Sequence, residues 1–229
     1  MKINSIYEGI EGEGKHIGTP TTFIRTQGCK VGCRNCDTLE SWDENKGKSM
    51  SVGEIVEELY SHSPEVISIT GGNPLEQDIA LVPLIHEINR TFITSEINIE
   101  VTGQDYNERV FDLVDRISLD LKTPSTGVKA NKENITHILK RYKDKVQLKC
   151  VCADNEDLIF IINTYTELNS SYVLDDYQMI ITPCYTQKAT KFDFDFIKEI
   201  NDSILTIGYK IRVILQQHKV IYDSKEQNV

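Results

Sequence analysis

The sequence lacks the features that membrane-spanning and exported proteins need. No apolar run approaches the roughly 20 residues of a membrane-spanning helix. The opening stretch, MKINSIYEGIEGEG, is acidic and glycine-bearing, and it has no apolar segment of the signal-peptide kind. We therefore expect no membrane partner and a cytoplasmic location, where thiols stay reduced.

Positive charge is also scarce. The 229 residues include 25 Lys and Arg against 35 Asp and Glu, which gives a formal net charge of −10. Contacts with nucleic-acid phosphates need clustered basic side chains. The charge balance therefore argues against direct nucleic-acid binding and favours a small-molecule substrate.

The chain has no internal repeat, no linker and no low-complexity segment. Hydrophobic residues make up 39% and charged residues 26%, values typical of a globular protein. A chain of this length is enough for one sizeable domain with its own core. We expect a single domain over residues 1–229.

Short runs rich in β-branched residues alternate with amphipathic helical patterns. The runs are TTFIRT (21–26), EVISIT (65–70), EINIEV (96–101), RISLDL (116–121), KVQLKCV (145–151), YQMIIT (177–182) and YKIRVIL (209–215). The helical patterns cover 51–62, 75–90, 105–114, 132–142, 154–168 and 192–204. The first begins with Ser51 and Glu54 at the spacing of a capping box.

Strands that alternate with helices of this length predict βαβ units and a parallel sheet. About six to seven strands are too few for a full eightfold barrel. We therefore predict an α/β fold, an open, partial TIM-like barrel of mostly parallel strands. Its active face should lie at the carboxyl ends of the strands.

Cysteine is not abundant, but three of the six cysteines lie within eight residues. The segment CKVGCRNC (29–36) places Cys29, Cys33 and Cys36 on one loop after a predicted strand. A structural zinc site usually has four ligands. No second CxxC or Cys–His pair completes one, since Cys150 and Cys152 belong to an apolar strand. Three thiolates can instead bind three irons of a [4Fe–4S] cluster and leave the fourth iron open.

A glycine-rich segment follows the next predicted strand. GGNP (71–74) comes directly after EVISIT. Glycine permits the close backbone approach that a ligand requires, although an ordinary turn has the same composition. Its place one strand after the cysteine loop favours a binding role.

These motifs resemble those of the radical S-adenosylmethionine (SAM) superfamily. The three-cysteine spacing resembles its signature, and GGNP resembles its second motif, which binds the SAM amino group through the backbone. The segment GIEGEGKHIGTPTTFIRTQGC (9–29) resembles the opening of the 7-carboxy-7-deazaguanine synthase (QueE) family. Further anchors, spread over most of the chain, are CDT (36–38), TGGNP (70–74), SLDLK (118–122) and RVILQQH (212–218).

The resemblance implies a radical SAM core fold with a [4Fe–4S] cluster, SAM and Mg²⁺ as cofactors. The implied reaction converts 6-carboxy-5,6,7,8-tetrahydropterin to 7-carboxy-7-deazaguanine with loss of ammonia, in queuosine biosynthesis. In the family, the reduced cluster cleaves SAM to a 5′-deoxyadenosyl radical that abstracts a substrate hydrogen, so no side chain is expected to be catalytic. The resemblance also implies a homodimer and an electron donor such as flavodoxin or ferredoxin.

The resemblance assigns roles to individual residues. The implied metal ligands are Cys29, Cys33 and Cys36 for the cluster and Thr38 for Mg²⁺. The implied substrate-binding residues are Ile10, Glu11, Gly12, Glu13, Arg25, Thr70, Gln216 and His218. The implied SAM-binding residues are Asn35, Cys36, Asp37, Gly72, Asn73, Glu100, Asp120, Leu121, Lys122, Thr182 and Pro183.

For four of these residues, the implied role has a physical reason, and a simpler structural role is the alternative. Arg25 lies among apolar neighbours and needs an anion, which is either a bidentate substrate carboxylate or a structural ion pair. Thr38 offers a hydroxyl oxygen to a hard cation that helps to hold that carboxylate, or it caps the next turn. Glu13 accepts hydrogen bonds from the N–H edge of the pterin, or it is a solvated acid. His218 closes on the pterin or is structural.

Two features depart from the family. Asn73 stands where many radical SAM enzymes carry an acid, so a contact with the SAM ammonium would rest on the backbone. The segment after His218, KVIYDSKEQNV, lacks the small-residue aromatic ending of the family. In addition, Cys184 lies near the expected active face, and the family gives it no role.

Two other classes of protein fit parts of the pattern. A glycyl-radical-enzyme activase shares the cluster and SAM but acts on a protein partner. A non-catalytic iron–sulfur or zinc module would use only the cysteines. Incubation with the tetrahydropterin separates the first class from the synthase, and metal and sulfide analysis separates the second.

Overall fold

The strands pair into one sheet. The structure is a computed structural model, and it describes residues 1–62, 64–171, 173–185 and 192–222. Residues 223–229, the end of the segment that departs from the family, lie outside these ranges. The strands are β1 Lys2–Ile10, β2 Pro20–Thr26, β3 Lys48–Ser49, β4 Val66–Gly71, β5 Glu96–Val101, β6 Arg116–Asp120, β7 Val146–Cys152, β8 Met179–Pro183 and β9 Arg212–Val213. The helices are α1 Val52–Tyr60, α2 Asp78–Thr91, α3 Glu108–Leu113, α4 Lys132–Arg141, α5 Asn155–Ser170, α6 Phe194–Ile207 and α7 Gln217–Ile221.

The strand order in the sheet is β3-β1-β2-β4-β5-β6-β7-β8-β9. From β2 through β4 to β9 every neighbouring pair is parallel, whereas β1 runs antiparallel to both β2 and β3. The sheet is open, with β3 and β9 at its two edges. The predicted partial barrel of parallel strands is therefore confirmed, and β1 and β3 extend it beyond the predicted strands.

The central strands β4, β5 and β6 alternate apolar and polar residues because their two faces differ. The apolar face has no exposed surface and belongs to one hydrophobic core; it includes Ile67, Ile69, Ile97, Ile99 and Ile117. The other face carries the buried polar residues Ser68, Asn98 and Ser118, which hydrogen-bond to one another across the strands. Successive side chains of a strand lie on opposite faces, so these β-branched runs have the period of strands.

The helices begin where local side chains can cap them. At the start of α1, the Ser51 N–H donates to Glu54 Oε2 at 2.7 Å, and the Glu54 N–H donates to Ser51 Oγ at 3.2 Å. This is the predicted capping box, a device that stabilises a helix by about 1 kcal/mol. No helix of the described ranges combines the length and the apolar character needed to cross a bilayer.

Successive loops leave the sheet at its carboxyl edge because the strands run parallel. The loop after β2 carries the cysteines, and the loops after β4 and β6 carry GGNP and the segment around Lys122. The antiparallel β1 ends at the opposite edge, because Ile10 pairs with Pro20 at the start of β2, and the loop that carries Glu11 and Glu13 follows it. The parallel strands thus gather the cysteine loop, GGNP and the Lys122 segment at one edge of the sheet, and the Glu11–Glu13 loop approaches from the other edge.

Candidate active site

The carboxyl ends of the strands surround a cavity of about 560 Å³. Most of the residues predicted for the site lie in its wall. They are Ile10, Glu11, Gly12, Glu13, Arg25, Cys29, Cys33, Asn35, Cys36, Asp37, Thr38, Thr70, Gly72, Glu100, Asp120, Leu121, Lys122, Gln216 and His218. Three predicted SAM-binding residues, Asn73, Thr182 and Pro183, are not part of the wall.

The cysteine loop forms one side of the cavity. It begins where β2 ends, and Gly28 turns the chain there with a φ of 106°, a conformation that favours glycine. The Gly28 N–H donates to the Ser41 carbonyl at 2.7 Å, and the Cys29 N–H donates to the Trp42 carbonyl at 3.2 Å. These bonds fix the start of the loop, and its three half-buried cysteines form no disulfide with the described residues.

The surroundings of the thiols fit a thiolate-bound cluster. The Trp42 indole N–H donates to Cys36 Sγ at 3.2 Å. Burial raises the pKa of the Cys29 thiol, and the backbone N–H groups of Val31 and Gly32 oppose that rise. Hydrogen bonds to the sulfurs are one of the means by which proteins tune such clusters. In the described part of the chain, no three His, Cys, Asp or Glu side chains are placed to hold a single metal ion. A cluster needs no such arrangement, because each thiolate binds a different iron.

Gly71 and Gly72 pack directly against the chain around the cysteine loop. A Cβ at Gly71 would lie 2.3 Å from the Thr26 carbonyl oxygen, and a Cβ at Gly72 would lie 2.1 Å from the Gly28 carbonyl oxygen. The Asn73 N–H donates to that Gly28 oxygen at 2.9 Å. Both glycines are therefore required by the contact between two loops, a reason that sequence reasoning did not foresee.

The three residues that lie outside the wall have other surroundings. Asn73 is buried, and its Nδ2 donates to Asp105 Oδ2 at 2.7 Å, so its side chain is tied to the loop after β5. Thr182 is buried and, like Pro183, still lies within the ladder that β8 forms with β7. The wall is instead completed there by Val151, Cys184 and Tyr185, so the half-buried Cys184 lines the cavity.

The loop after β1 brings Glu13 to the cavity, where two side chains hold its carboxylate. Lys149 Nζ lies 3.0 Å from Glu13 Oε2, and Gln216 Nε2 donates to Glu13 Oε1 at 2.7 Å. Burial on its own would raise the pKa of Glu13, but the Lys149 ammonium and then His218 outweigh it and lower the pKa to about 2. Glu13 is therefore a paired anion rather than a solvated loop acid.

Glu11 lies two residues earlier in a different environment. It is buried, and its Oε1 accepts a hydrogen bond from the Glu13 N–H at 3.3 Å. Burial, followed by the negative charge of Glu100, raises the pKa of Glu11 to about 8. Neighbouring carboxyl groups whose pKa values are pushed apart can serve as a donor and an acceptor at neutral pH.

Arg25 reaches the cavity without a carboxylate partner. It donates a hydrogen bond to the Tyr7 hydroxyl, and its Cζ lies 5.5 Å from the centre of the Tyr7 ring. Its buried Nε has no hydrogen-bond partner. Within the described residues, the arginine ion pairs involve Arg90, Arg116 and Arg141. The structural ion pair that was the alternative for Arg25 is thus not observed there.

Thr38 lies at the edge of the cysteine loop with its hydroxyl near a carboxylate. Its Oγ1 donates to Asp37 Oδ1 at 3.2 Å. Thr38 precedes the 3₁₀ turn Leu39–Ser41, but its side chain makes no capping hydrogen bond to that turn. The capping alternative is therefore not observed, and two oxygen groups of the kind that Mg²⁺ prefers lie side by side.

The ends of β5 and β6 add charges to the wall. Glu100 lies on β5, and Asp120 is the last residue of β6. Lys122 Nζ lies 2.9 Å from Asp120 Oδ2. Burial raises the pKa of the Cys33 thiol, and the charge of Lys122 opposes that rise. The sequence SLDLK thus connects the cysteine loop to this part of the cavity.

The segment around α7 reaches the cavity from the far end of the sheet. The Gln217 N–H donates to the Gly12 carbonyl at 2.9 Å. A Cβ at Gly12 would lie only 2.1 Å from His218 Nδ1, so glycine at this position makes room for the imidazole. Lys219 Nζ lies 3.7 Å from Asp37 Oδ2 and joins the same segment to the cysteine loop.

Sequence reasoning missed several residues of the wall, including Tyr7, Trp42, Lys149 and Lys219. Lys149 could have been predicted from the sequence, because a lysine inside the apolar run KVQLKCV needs anionic partners if it is buried. The aromatic residues had none, since their positions follow from tertiary packing.

The fold and the cysteine loop define an iron–sulfur protein of the radical SAM type. Residues 10–119 match the family model of the 4Fe-4S single cluster domain. A 7-carboxy-7-deazaguanine synthase from Methanospirillum hungatei JF-1 is 30% identical over 222 residues, 96% of this chain and 85% of the relative. One from Thermoplasma acidophilum is 28% identical over 225 residues, 97% of each chain.

The chain belongs to the 7-carboxy-7-deazaguanine synthase family. The crystal structure of QueE from Escherichia coli has the same fold, with a TM-score of 0.71 and 20% sequence identity. That similarity covers 95% of this chain and 94% of the other.

Proposed function

We propose that the chain is a radical SAM lyase that converts 6-carboxy-5,6,7,8-tetrahydropterin to 7-carboxy-7-deazaguanine with loss of ammonia. The reaction places it in queuosine biosynthesis, a pathway of tRNA modification, although the enzyme itself acts on a small molecule. The family membership supports this activity. The observation that carries it is the meeting of the cysteine loop and the Glu11–Glu13 loop at one cavity.

The cysteine side of the cavity fits the cluster and SAM. Cys29, Cys33 and Cys36 would hold three irons, and the fourth iron would bind SAM. Once bound, the reduced cluster and SAM supply the radical that abstracts a substrate hydrogen. The chain's own part is to bind, orient and shield. The wall residues that would contact SAM are Asn35, Asp37, Gly72, Glu100, Asp120, Leu121 and Lys122.

The other side of the cavity fits the pterin. Arg25 would take the substrate carboxylate with its unpaired Nε and its neighbouring nitrogen. The protonated Glu11 would donate a hydrogen bond to the ring, and the ionised Glu13 would accept from the ring N–H groups. Thr70, Gln216 and His218 complete this side, together with the backbone of residues 10–12.

A bound Mg²⁺ would share the charge of the substrate carboxylate with Arg25. Thr38 Oγ1 is the proposed protein ligand, because it lies in the wall and is not used as a helix cap. A hard cation accepts a hydroxyl oxygen, a carboxylate oxygen and several waters together. The Thr38–Asp37 pair offers the first two kinds of group.

The remaining parts of the proposal concern partners. An electron donor such as flavodoxin or ferredoxin would reduce the cluster in the cytoplasm, where thiols are kept reduced. The cysteines of the described residues form no disulfide, which suits that compartment. The family resemblance supports a homodimer, and the activase alternative is not favoured, because the relatives are synthases.

The decisive experiment is a turnover assay. The protein is loaded anaerobically with iron and sulfide, and about four iron per chain are expected. It is then incubated with the tetrahydropterin, SAM, Mg²⁺ and a reductant, and 7-carboxy-7-deazaguanine and ammonia are measured. A protein with a full cluster that cleaves SAM but forms no deazapurine would contradict the proposal and would revive the activase hypothesis.

A further inference from the structure

Lys149 is a buried cation in the wall of the cavity, on strand β7. Only 8% of its side chain is exposed. Its Nζ lies 3.0 Å from Glu13 Oε2, 3.5 Å from Glu100 Oε2 and 4.0 Å from Asp120 Oδ1. The three carboxylates come from three different elements of the chain, so one ammonium holds them together.

The charge of Lys149 is secured by its surroundings. Burial on its own would lower the pKa of a lysine, but Glu100, Glu13 and then Asp120 raise the pKa of Lys149 well above its ordinary value. A buried ammonium with several carboxylate partners stays ionised and in place. Lys149 is therefore a fixed positive charge at neutral pH.

The same strand supports the loop that carries Glu13. Two residues before Lys149, and on the same face of β7, Gln147 Oε1 accepts from the Lys15 N–H at 2.7 Å. Its Nε2 donates to Ser118 Oγ at 2.6 Å. A Cβ at Gly14 would lie 2.5 Å from Gln147 Oε1, so the loop lies directly on this side chain.

Glu13 is held from two directions by this arrangement. Lys149 binds one oxygen of its carboxylate, and Gln216 donates to the other. The carboxylate is thus fixed in orientation as well as in charge. Glu11, Glu13 and Lys149 influence one another's pKa values. The other ionisable groups that act on them are Glu100, Asp120 and His218.

We propose that Lys149 is a positioning residue that makes Glu13 the acceptor for the N–H edge of the pterin. This inference rests on the proposed function, and it assigns to Lys149 a role in substrate specificity that it exerts through Glu13. The site would select rings with an amino-pyrimidinone edge, which presents two neighbouring N–H donors to one carboxylate. An analogue without the ring amino group should bind much more weakly, because it leaves the fixed anion unpaired.

The test is a double-mutant cycle made with Lys149→Met, Glu13→Gln and the double variant. We expect each single change to raise the KM for the tetrahydropterin about 10- to 100-fold, with a smaller effect on kcat. The double variant should be no worse than the single ones, because Lys149 acts through Glu13. Additive losses in KM would overturn the inference.

The pH dependence of KM gives a second readout that a purely structural role would not change. Without Lys149, the pKa of the buried Glu13 should rise. The ratio of the KM of Lys149→Met to that of the wild type should therefore fall as the pH is raised from about 6.5 to about 8.5, because more of Glu13 becomes ionised. If Lys149→Met does not fold, Lys149→Arg keeps the charge and should retain the wild-type pH profile. If the KM of Lys149→Arg relative to that of the wild type also fell with rising pH, the result would count against the inference.

A matched control is Lys145→Met, at the start of the same strand segment. Lys145 Nζ donates to the carbonyls of Phe111 and Val114 outside the cavity. This change should lower the melting temperature and leave the KM near that of the wild type. Failure of the wild type to form the deazapurine would overturn the proposed function and this inference with it. Normal wild-type turnover with additive losses would overturn the inference alone.

Discussion

Arg25 should contribute most of the binding of the substrate carboxylate. In the free protein it is half-buried at the cavity wall, bonded to the Tyr7 hydroxyl and without a carboxylate partner among the described residues. Arg25→Ala would leave the substrate carboxylate without its planar donor in a site that excludes most water. Arg25→Lys should rescue poorly, because an ammonium cannot reproduce a two-point contact.

The size of the effect follows from the environment of Arg25. Breaking a fully buried ion pair costs about 3–5 kcal/mol. Arg25 is only partly buried, and the proposed Mg²⁺ would remain. We therefore expect a loss of transition-state stabilisation at the lower end of this range, about 3 kcal/mol. At about 1.4 kcal/mol for each tenfold change, this loss is on the order of 10²-fold in kcat/KM.

The assay is turnover against pterin concentration at saturating SAM and Mg²⁺, for Arg25→Ala, Arg25→Lys and Tyr7→Phe. Tyr7→Phe is the matched control, because it removes the hydrogen bond to Arg25 but keeps the ring beneath the guanidinium. It should cost less than tenfold. Iron content and SAM cleavage without substrate should be normal in all three. A kcat/KM near the wild-type value in Arg25→Ala would refute the carboxylate role.

Three further predictions concern the cluster, the cation and pH. Cys33→Ala should lose the cluster absorbance and SAM cleavage, whereas Cys150→Ser, at a position with no exposed surface, should keep both and melt at a lower temperature; retained iron in Cys33→Ala would refute the assignment. Thr38→Val should raise the Mg²⁺ concentration needed for half-maximal turnover, measured by Mg²⁺ titration at constant cluster content, and an unchanged titration would exclude Thr38 as a ligand. Because the pKa of Glu11 is raised to about 8 in the folded protein, the folded state binds more protons than the unfolded state from about pH 4.5 to 8, so stability should fall with rising pH there. Glu11→Gln should flatten that decline, on the order of a few kcal/mol in denaturant melts, and an unaltered slope would show that Glu11 titrates normally.

The fold could be predicted from the sequence because its parallel strands are rich in β-branched residues and alternate apolar with polar side chains. Each parallel strand coincides with a β-branched segment, and only β9 is much shorter than its run. The strand β1 was missed because Asn4 and Ser5 interrupt its apolar residues. A register shift between Ile3 and Ser5 then breaks the alternation on which recognition depends.

The candidate site could be predicted where its residues are local to a motif. The spacing of the cysteines indicated a shared site, whereas the Glu11–Glu13 loop was assigned to it by the family resemblance of the surrounding segment. Lys149 and Trp42 could not be placed, because their partners are set by packing between elements far apart in sequence. The need for glycine at position 72 could not be predicted either, because it arises from the close approach of the Gly28 carbonyl in a neighbouring loop.

The bond between Gln216 and Glu13 joins residues 203 positions apart. By contrast, the backbone hydrogen bonds of the cysteine loop reach from Thr26 to Asn73 and, through the Arg34 N–H, to the Thr126 carbonyl. During synthesis at about 5–20 residues per second, Thr126 follows Arg34 after roughly 5–18 s, whereas Gln216 follows Glu13 after roughly 10–40 s. At any given rate of synthesis, the backbone partners of the cysteine loop are therefore present before the pterin side of the cavity is complete.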